Sequence, residues 1–104
     1  MKPAGFHILL VLAASSSHGL GIAKAVDEAT DGAVTLGPGT LYRSLKELMG
    51  EMLIQEIDPP DGPSDPRRRL YEITPTGLDR ARAEARRLER LVEVAHQNAV
   101  LPGS

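Results

Sequence analysis

Residues Leu36 to Leu48, Leu-Gly-Pro-Gly-Thr-Leu-Tyr-Arg-Ser-Leu-Lys-Glu-Leu, constrain this chain more than any other stretch: they start a helix, and that helix has two unlike faces. Proline is tolerated in a first helical turn, where its missing N–H is not needed, and glycine is an acceptable cap before it, so Gly37-Pro38 marks the start. From there Leu41, Leu45, Leu48 and Met52 recur at helical spacing and make one buried side. At about 100° per residue, Gly39, Arg43, Lys46 and Gly50 fall opposite, flanked by Thr40 and Tyr42. A short helix with a leucine keel and a positive outer face of little bulk fits a groove of DNA.

The charge balance limits how such a helix could work. The net charge is −2, so the chain has no generally basic surface, and any contact with nucleic acid must come from local clusters. Arg67-Arg68-Arg69 is one, and nine of the twelve basic residues are arginine, the side chain that suits both phosphate contact and guanine readout. With 104 residues the chain can form one domain with a modest core. It has no cysteine, and His7, His18 and His96 lie in three separate segments without ligand spacing, so neither a metal nor another cofactor is expected. Gly19-Leu-Gly21 and Gly37-Pro-Gly39 fail as dinucleotide fingerprints, because Lys24 and Tyr42 stand where the third glycine belongs. No nucleophile with a base and no paired-carboxylate site is legible, which argues against an enzyme. The apolar run Ile8 to Ala14 is far below the roughly 20 residues of a membrane span. It continues into His18-Gly19 and a second amphipathic segment, which reads against a secretion signal. A cytoplasmic protein with no membrane partner is expected.

Three helices come first. Phe6 to about Ser15 is apolar nearly all round and reads as a buried helix. About Leu20 to Thr30 places Ile22, Ala23, Val26 and Ala29 on one face and Lys24, Asp27, Glu28 and Asp31 on the other, with Asp31-Gly32 closing it. His18 reads as the residue that orders the turn into this helix. After a short extended piece, Val34 to Leu36, comes the helix described above, ending near Met52. Leu53 to Ile57 and Arg69 to Thr74 are strand candidates, the second with Tyr71 and Ile73 on one face. Four prolines and a glycine between Asp58 and Pro66 make the connection a hairpin tip that cannot pair in a sheet. The order predicts a mainly α fold with a small β-hairpin, a winged helix-turn-helix domain over residues 1–74.

Thr74-Pro75 is a cap followed by a first-turn proline, opening the last helix. Leu78, Ala81, Ala85, Leu88, Val92, Ala95 and Ala99 then alternate at spacings of three and four, a heptad seam. Arg80 with Glu84, Asp79 with Arg82 and Arg86 with Glu89 are spaced to pair along its outside. Residues 75–104 are thus predicted to be a C-terminal dimerisation helix and frayed tail, one structural unit with the domain before it. The seam is rich in alanine and thin, so the dimer is expected also to bury part of the first helix, including Phe6, Leu9 or Leu10.

The chain resembles the PadR family of bacterial transcriptional regulators. The residues that carry the resemblance are His18-Gly19-Leu-Gly-Ile22, Gly37-Pro-Gly-Thr-Leu-Tyr-Arg-Ser-Leu45 with its continuation to Leu48, and Arg67-Arg-Arg-Leu-Tyr-Glu-Ile-Thr-Pro-Thr-Gly77. They occur in the family's order over about residues 5 to 95, and the short length resembles the type with a single C-terminal dimerisation helix. The resemblance implies a homodimeric repressor that binds double-stranded DNA at a roughly palindromic operator and releases it when a small effector binds. It makes Thr40, Tyr42, Arg43 and Lys46 the recognition-helix contacts and puts the wing around Arg67, Arg68 and Arg69.

Two departures refine this. Leu20 stands where the family has tyrosine, and the wing tip carries Asp58, Asp61 and Asp65, which phosphate repels, so the arginines at the hairpin base are expected to meet DNA. Strand alternation sends neighbouring arginines to opposite faces, and one of the three is expected to pair with Glu56 or Glu72 instead. An effector pocket is expected at the subunit junction, lined by apolar residues. With no tryptophan and one phenylalanine, it would serve a small apolar effector better than a flat aromatic one. The alternative, kept open by the negative charge, is a winged-helix module that binds a protein partner and no operator.

Overall fold

A computed structural model describes residues 1–59 and 69–102. Helices α1 (Pro3–Ala14), α2 (Gly19–Ala29) and α3 (Pro38–Gly50) lead into strands β1 (Ile54–Ile57) and β2 (Leu70–Ile73), and α4 (Pro75–Gln97) follows. Four helices with one antiparallel hairpin is the mainly helical winged arrangement that the sequence predicts. Arg67, Arg68, Asp61, Asp65 and the proline-rich hairpin tip lie outside the described residues.

Local chemistry sets the helix starts. Pro3, Pro38 and Pro75 each occupy a first turn. Thr74 caps α4 by accepting from the Gly77 N–H, and His18 caps α2 by accepting the Gly21 N–H on Nδ1 at 3.1 Å. α2 stops at Asp31 and Gly32, both left-handed, as Asp-Gly permits. α1 lies in the centre, against α2, α3, α4 and β2, which explains why its sequence is apolar nearly all round. Ile8, Leu9 and Leu12 from α1 meet Ile22 and Val26 from α2, Leu41, Leu45 and Leu48 from α3, and Leu53, Ile54 and Tyr71 from the sheet end. Each such side chain adds roughly 1.5–3 kcal/mol on full burial.

The hairpin pairs Ile54 with Ile73 and Glu56 with Tyr71. A further tie was not legible in the sequence. Ser17, just before α2, exchanges two backbone hydrogen bonds with Tyr71, at 2.9 and 3.1 Å. This bridge fastens the turn between α1 and α2 to the base of the wing. The start of α4 is held as closely: the Thr74 N–H and hydroxyl donate to the carbonyls of Leu53 and Met52. Gly77 lies so near the Leu53 carbonyl that a Cβ there would be 2.0 Å from its oxygen.

Several expectations need correction. Met52 is not part of the buried side of α3. The helix ends at Gly50, and Met52 turns out at a φ of 61°, 74% exposed, because the chain must reverse there to begin β1. Leu9 is fully buried within its own chain and is not available to a partner, whereas Leu10 stays half-exposed. Ala81, a seam position, packs into the core of the same chain. Glu84 does not pair with Arg80: it takes Arg87 at 2.7 Å and the Met1 ammonium at 3.4 Å, while Arg80 reaches Glu51. Asp79 does pair with Arg82, at 3.5 Å, but among the described residues Arg86 and Glu89 form no ion pair.

Candidate nucleic-acid interface

α3 turns its leucine keel into the core, which fixes the outer face by exclusion. Leu41, Ser44, Leu45 and Leu48 are buried, and Tyr42, Arg43 and Lys46 are exposed, with Thr40 intermediate. The sequence-derived division of this helix therefore holds over its whole length, Met52 aside. No glutamate or aspartate occupies the first turn of α3, so nothing acidic shields its positive end.

Acidic partners take up some of the described cations and leave others free. Lys2 sits against Glu47, Arg69 against Glu56, Arg80 against Glu51, Arg82 against Asp79 and Arg87 against Glu84. Arg43 and Lys46, one turn apart, have no acidic partner among the described residues, and neither have Lys24 on α2 or Arg86 and Arg90 on α4. In a chain of net charge −2, cations left unneutralised side by side on one exposed helix face form a local anion-attracting surface. Lys24 was read from the sequence only as part of the solvated side of α2.

Tyr42 does more than face outward. Its hydroxyl would lie 2.9 Å from a Cβ added at Gly19, so the phenol rests on the first turn of α2 where only glycine leaves room. The side chain is half-exposed and braces α3 against α2 while its edge stays open to a ligand. A Cβ at Gly21 would meet Ser17 Oγ and the His18 ring, so a side chain there would displace the serine hydroxyl. Gly19 thus lets the Tyr42 phenol of α3 seat against α2, whose start His18 caps. Leu20, which lies among them, is 74% exposed.

At the wing, Tyr71 is buried, and that burial, followed by the nearby charges of Glu56 and Tyr42, pushes its phenol pKa up, with Arg69 pulling the other way. Tyr71 is therefore a neutral core residue that ties the wing to the helices. Arg69 pairs with Glu56 at 3.1 Å, the cross-strand partnership that the sequence suggested, and Gln55 takes Glu72. Among the described residues no group of His, Cys, Asp or Glu is placed to hold a metal ion. No helix among them is long and apolar enough to cross a membrane.

Residues 8–83 match the family model described as "Transcriptional regulator PadR-like family". No curated protein matches the chain. Among solved structures, a PadR family transcription regulator from Clostridium difficile is 26% identical, with 94% of this chain and 99% of that one covered and a TM-score of 0.79. A transcriptional regulator from Clostridium thermocellum is 24% identical over 90% of this chain and 87% of that one, with a TM-score of 0.77. The fold is also shared with a regulator from Thermoplasma acidophilum, 20% identical over 96% of this chain and 93% of that one, with a TM-score of 0.68.

Proposed function

This chain belongs to the PadR-like family of transcriptional regulators, and from that we propose that it is a homodimeric, sequence-specific DNA-binding repressor, acting in the cytoplasm and released by a small effector. Its family consists of DNA-binding regulators and not of enzymes. The observation that carries the reading is the pair of unneutralised cations, Arg43 and Lys46, on the exposed face of α3. Thr40, at the positive end of the same helix, adds a hydroxyl and a backbone N–H for a phosphate. Tyr42 offers its phenol edge, and Arg43 and Lys46 reach base edges or backbone. Arg67, Arg68 and Arg69 serve the wing, with Arg69 exchanging Glu56 for phosphate.

The dimer is supported by the distal half of α4, where Leu88, Leu91, Val92 and Ala95 make an apolar stripe that the chain itself leaves largely uncovered. In this reading Leu88, Val92 and Ala95 are seam residues proper, with Leu78 and Ala85 continuing the line toward the domain and Ala81 anchoring the helix to its own core. A two-fold pair would set two α3 helices about 34 Å apart, the spacing of successive major grooves on a roughly palindromic operator.

The test is a mobility shift on the promoter of the protein's own gene at two salt concentrations. Sequence-selective binding that falls steeply with salt is expected. Binding that ignores sequence, or that survives Arg43→Ala combined with Lys46→Ala, would overturn the assignment. Retention of a protein partner with no promoter binding would favour the interaction-module reading.

A further inference from the structure

Among the described residues, three glycines have nothing within 4 Å of the place a Cβ would take, and Gly37, Gly39 and Gly50 all belong to α3 or its cap. The others meet atoms of their own chain or need an unusual backbone. Gly19 faces the Tyr42 phenol, Gly77 the Leu53 carbonyl, Gly21 the Ser17 hydroxyl and Gly5 the side chains of Leu48 and Met1, while Gly32 has a φ of 78°. Gly37 stands at the N-cap, where glycine is an accepted residue. Gly39 and Gly50 are helical residues, exposed, with no left-handed backbone to accommodate. Alanine would suit a helix better, because glycine has more conformational freedom to lose. Nothing within the protomer requires glycine at either position.

Their placement supplies a reason. At about 100° per residue, Gly39, Arg43, Lys46 and Gly50 fall within an arc of about 60° on the side away from the core. Along the helix the order is glycine, two cations without an acidic partner, and glycine again, over about 16 Å. We infer that Gly39 and Gly50 are positioning residues for DNA, thinning both ends of the outward stripe so that α3 lies lengthwise in the major groove with its backbone close to the groove floor. The dimensions make such thinning useful. A helix with its side chains is roughly 10–12 Å across, and the major groove is about 12 Å wide. With that little clearance, a methyl group at either end would lift that end away from the bases. Arg43 and Lys46, between the glycines, then reach bases or phosphates from a helix seated at full depth. A helix that entered the groove by its N-terminus alone would use Gly39 and have no need of Gly50.

This role rests on the operator reading above, and the two can fail separately. Gly39→Ala, Gly50→Ala and the pair are compared with the wild type by thermal melting and by mobility shift on the promoter fragment that the wild type selects. Melting temperatures are expected to hold or rise, because alanine is the better helix residue and meets no atom at either position. Affinity is expected to fall about tenfold in each single variant and about 50-fold in the pair. A purely structural glycine would not weaken binding while stability holds. Gly5→Ala, on α1, is the control, with affinity expected to be unchanged. Unchanged affinity in both single variants, or an equal loss in Gly5→Ala, overturns the positioning role and leaves the operator reading standing. A loss in only one of the two variants overturns the lengthwise placement. A wild type that selects no promoter sequence overturns both readings.

Discussion

The body of the molecule and the far half of α4 draw on the same apolar residues and reach different ends. In the body, Ile8, Leu9, Ile22, Leu41, Leu45 and Leu53 are at most 2% exposed, because four elements converge on α1. In α4 the buried residues are Gly77, Ala81 and Glu84, all in the first half. Beyond them Leu88, Leu91, Val92 and Ala95 keep the spacing of a core stripe, yet Leu91 and Val92 leave about half of their surface open, at 52% and 48%. Hydrophobic periodicity therefore states that a face exists. Which surface covers it is decided by topology, and a stripe that meets nothing in its own chain is suited to a second one.

The strongest way to break this contrast is at the joint between the two regions. Gly77→Ala would drive a methyl into the Leu53 carbonyl, 2.0 Å away, and neither backbone can yield while Thr74 is also bonded to that carbonyl. A loss of about 4 kcal/mol or more is expected, enough to unfold the domain in a thermal melt. Gly50→Ala is the control: nothing lies within 4 Å, and the helix should gain about 0.5 kcal/mol.

Next in size is a direct exchange between the regions. Leu45→Ala empties a site in the body and should cost about 2–5 kcal/mol in denaturant unfolding. Leu88→Asp with Leu91→Asp should leave the far-ultraviolet spectrum of the fold intact and convert the protein to monomers in light scattering. If the double aspartate variant unfolds the body as Leu45→Ala does, the two regions share one core and the contrast fails.

Much of this was legible because it is local. Gly37-Pro38 and Thr74-Pro75 are capping chemistry, and His18 before Gly19 marked a turn residue that proved to be a cap. The two faces of α3 follow from spacing alone. What was not legible involves partners distant in the chain. The bridge between Ser17 and Tyr71 spans more than fifty residues, and nothing in either segment announces it. Glu84 looks like an outer-face residue by its neighbours, but α1 and the N-terminus close over it. Met52 has helical spacing, and only the need to reverse into β1 sends it outward. The candidate site divides in the same manner. Its residue types were readable, whereas which cations lack an acidic partner, Arg43 and Lys46 among them, depends on the fold.

That isolation sets up a third prediction. Arg86 and Arg90 on α4 are exposed and, like Arg43 and Lys46, have no acidic partner among the described residues. If lack of a partner were sufficient for binding, both pairs would matter. Arg43→Ala with Lys46→Ala is expected to weaken operator binding about 100-fold and to lower the slope of log affinity against log salt by about two. Arg86→Ala with Arg90→Ala should leave both unchanged. Equal losses would mean that the helix face does not select the surface that DNA uses.

The smallest effect belongs to Glu84, the last buried residue of α4 and the boundary between the regions. Its carboxylate accepts from Arg87 Nε at 2.7 Å and Nη2 at 3.1 Å, with the Met1 ammonium at 3.4 Å. The hydrogen bonds from Arg87 dominate; burial opposes them and the ammonium adds to them, so the pKa falls from an ordinary 4.5 to about 2. A folded pKa below the unfolded one means that the contribution is fully present above 4.5 and is lost as pH falls through the window down to about 2. Glu84→Gln keeps the shape and removes the charge. Melting curves of the two proteins should therefore differ at neutral pH, with the wild type more stable, and should converge between about pH 5 and pH 2. A gap of the same size at both ends of that range would show that the charge of Glu84 does not fasten the first half of α4 to the body. The boundary between the covered and uncovered halves of that helix would then rest on the packing of Gly77 and Ala81 alone.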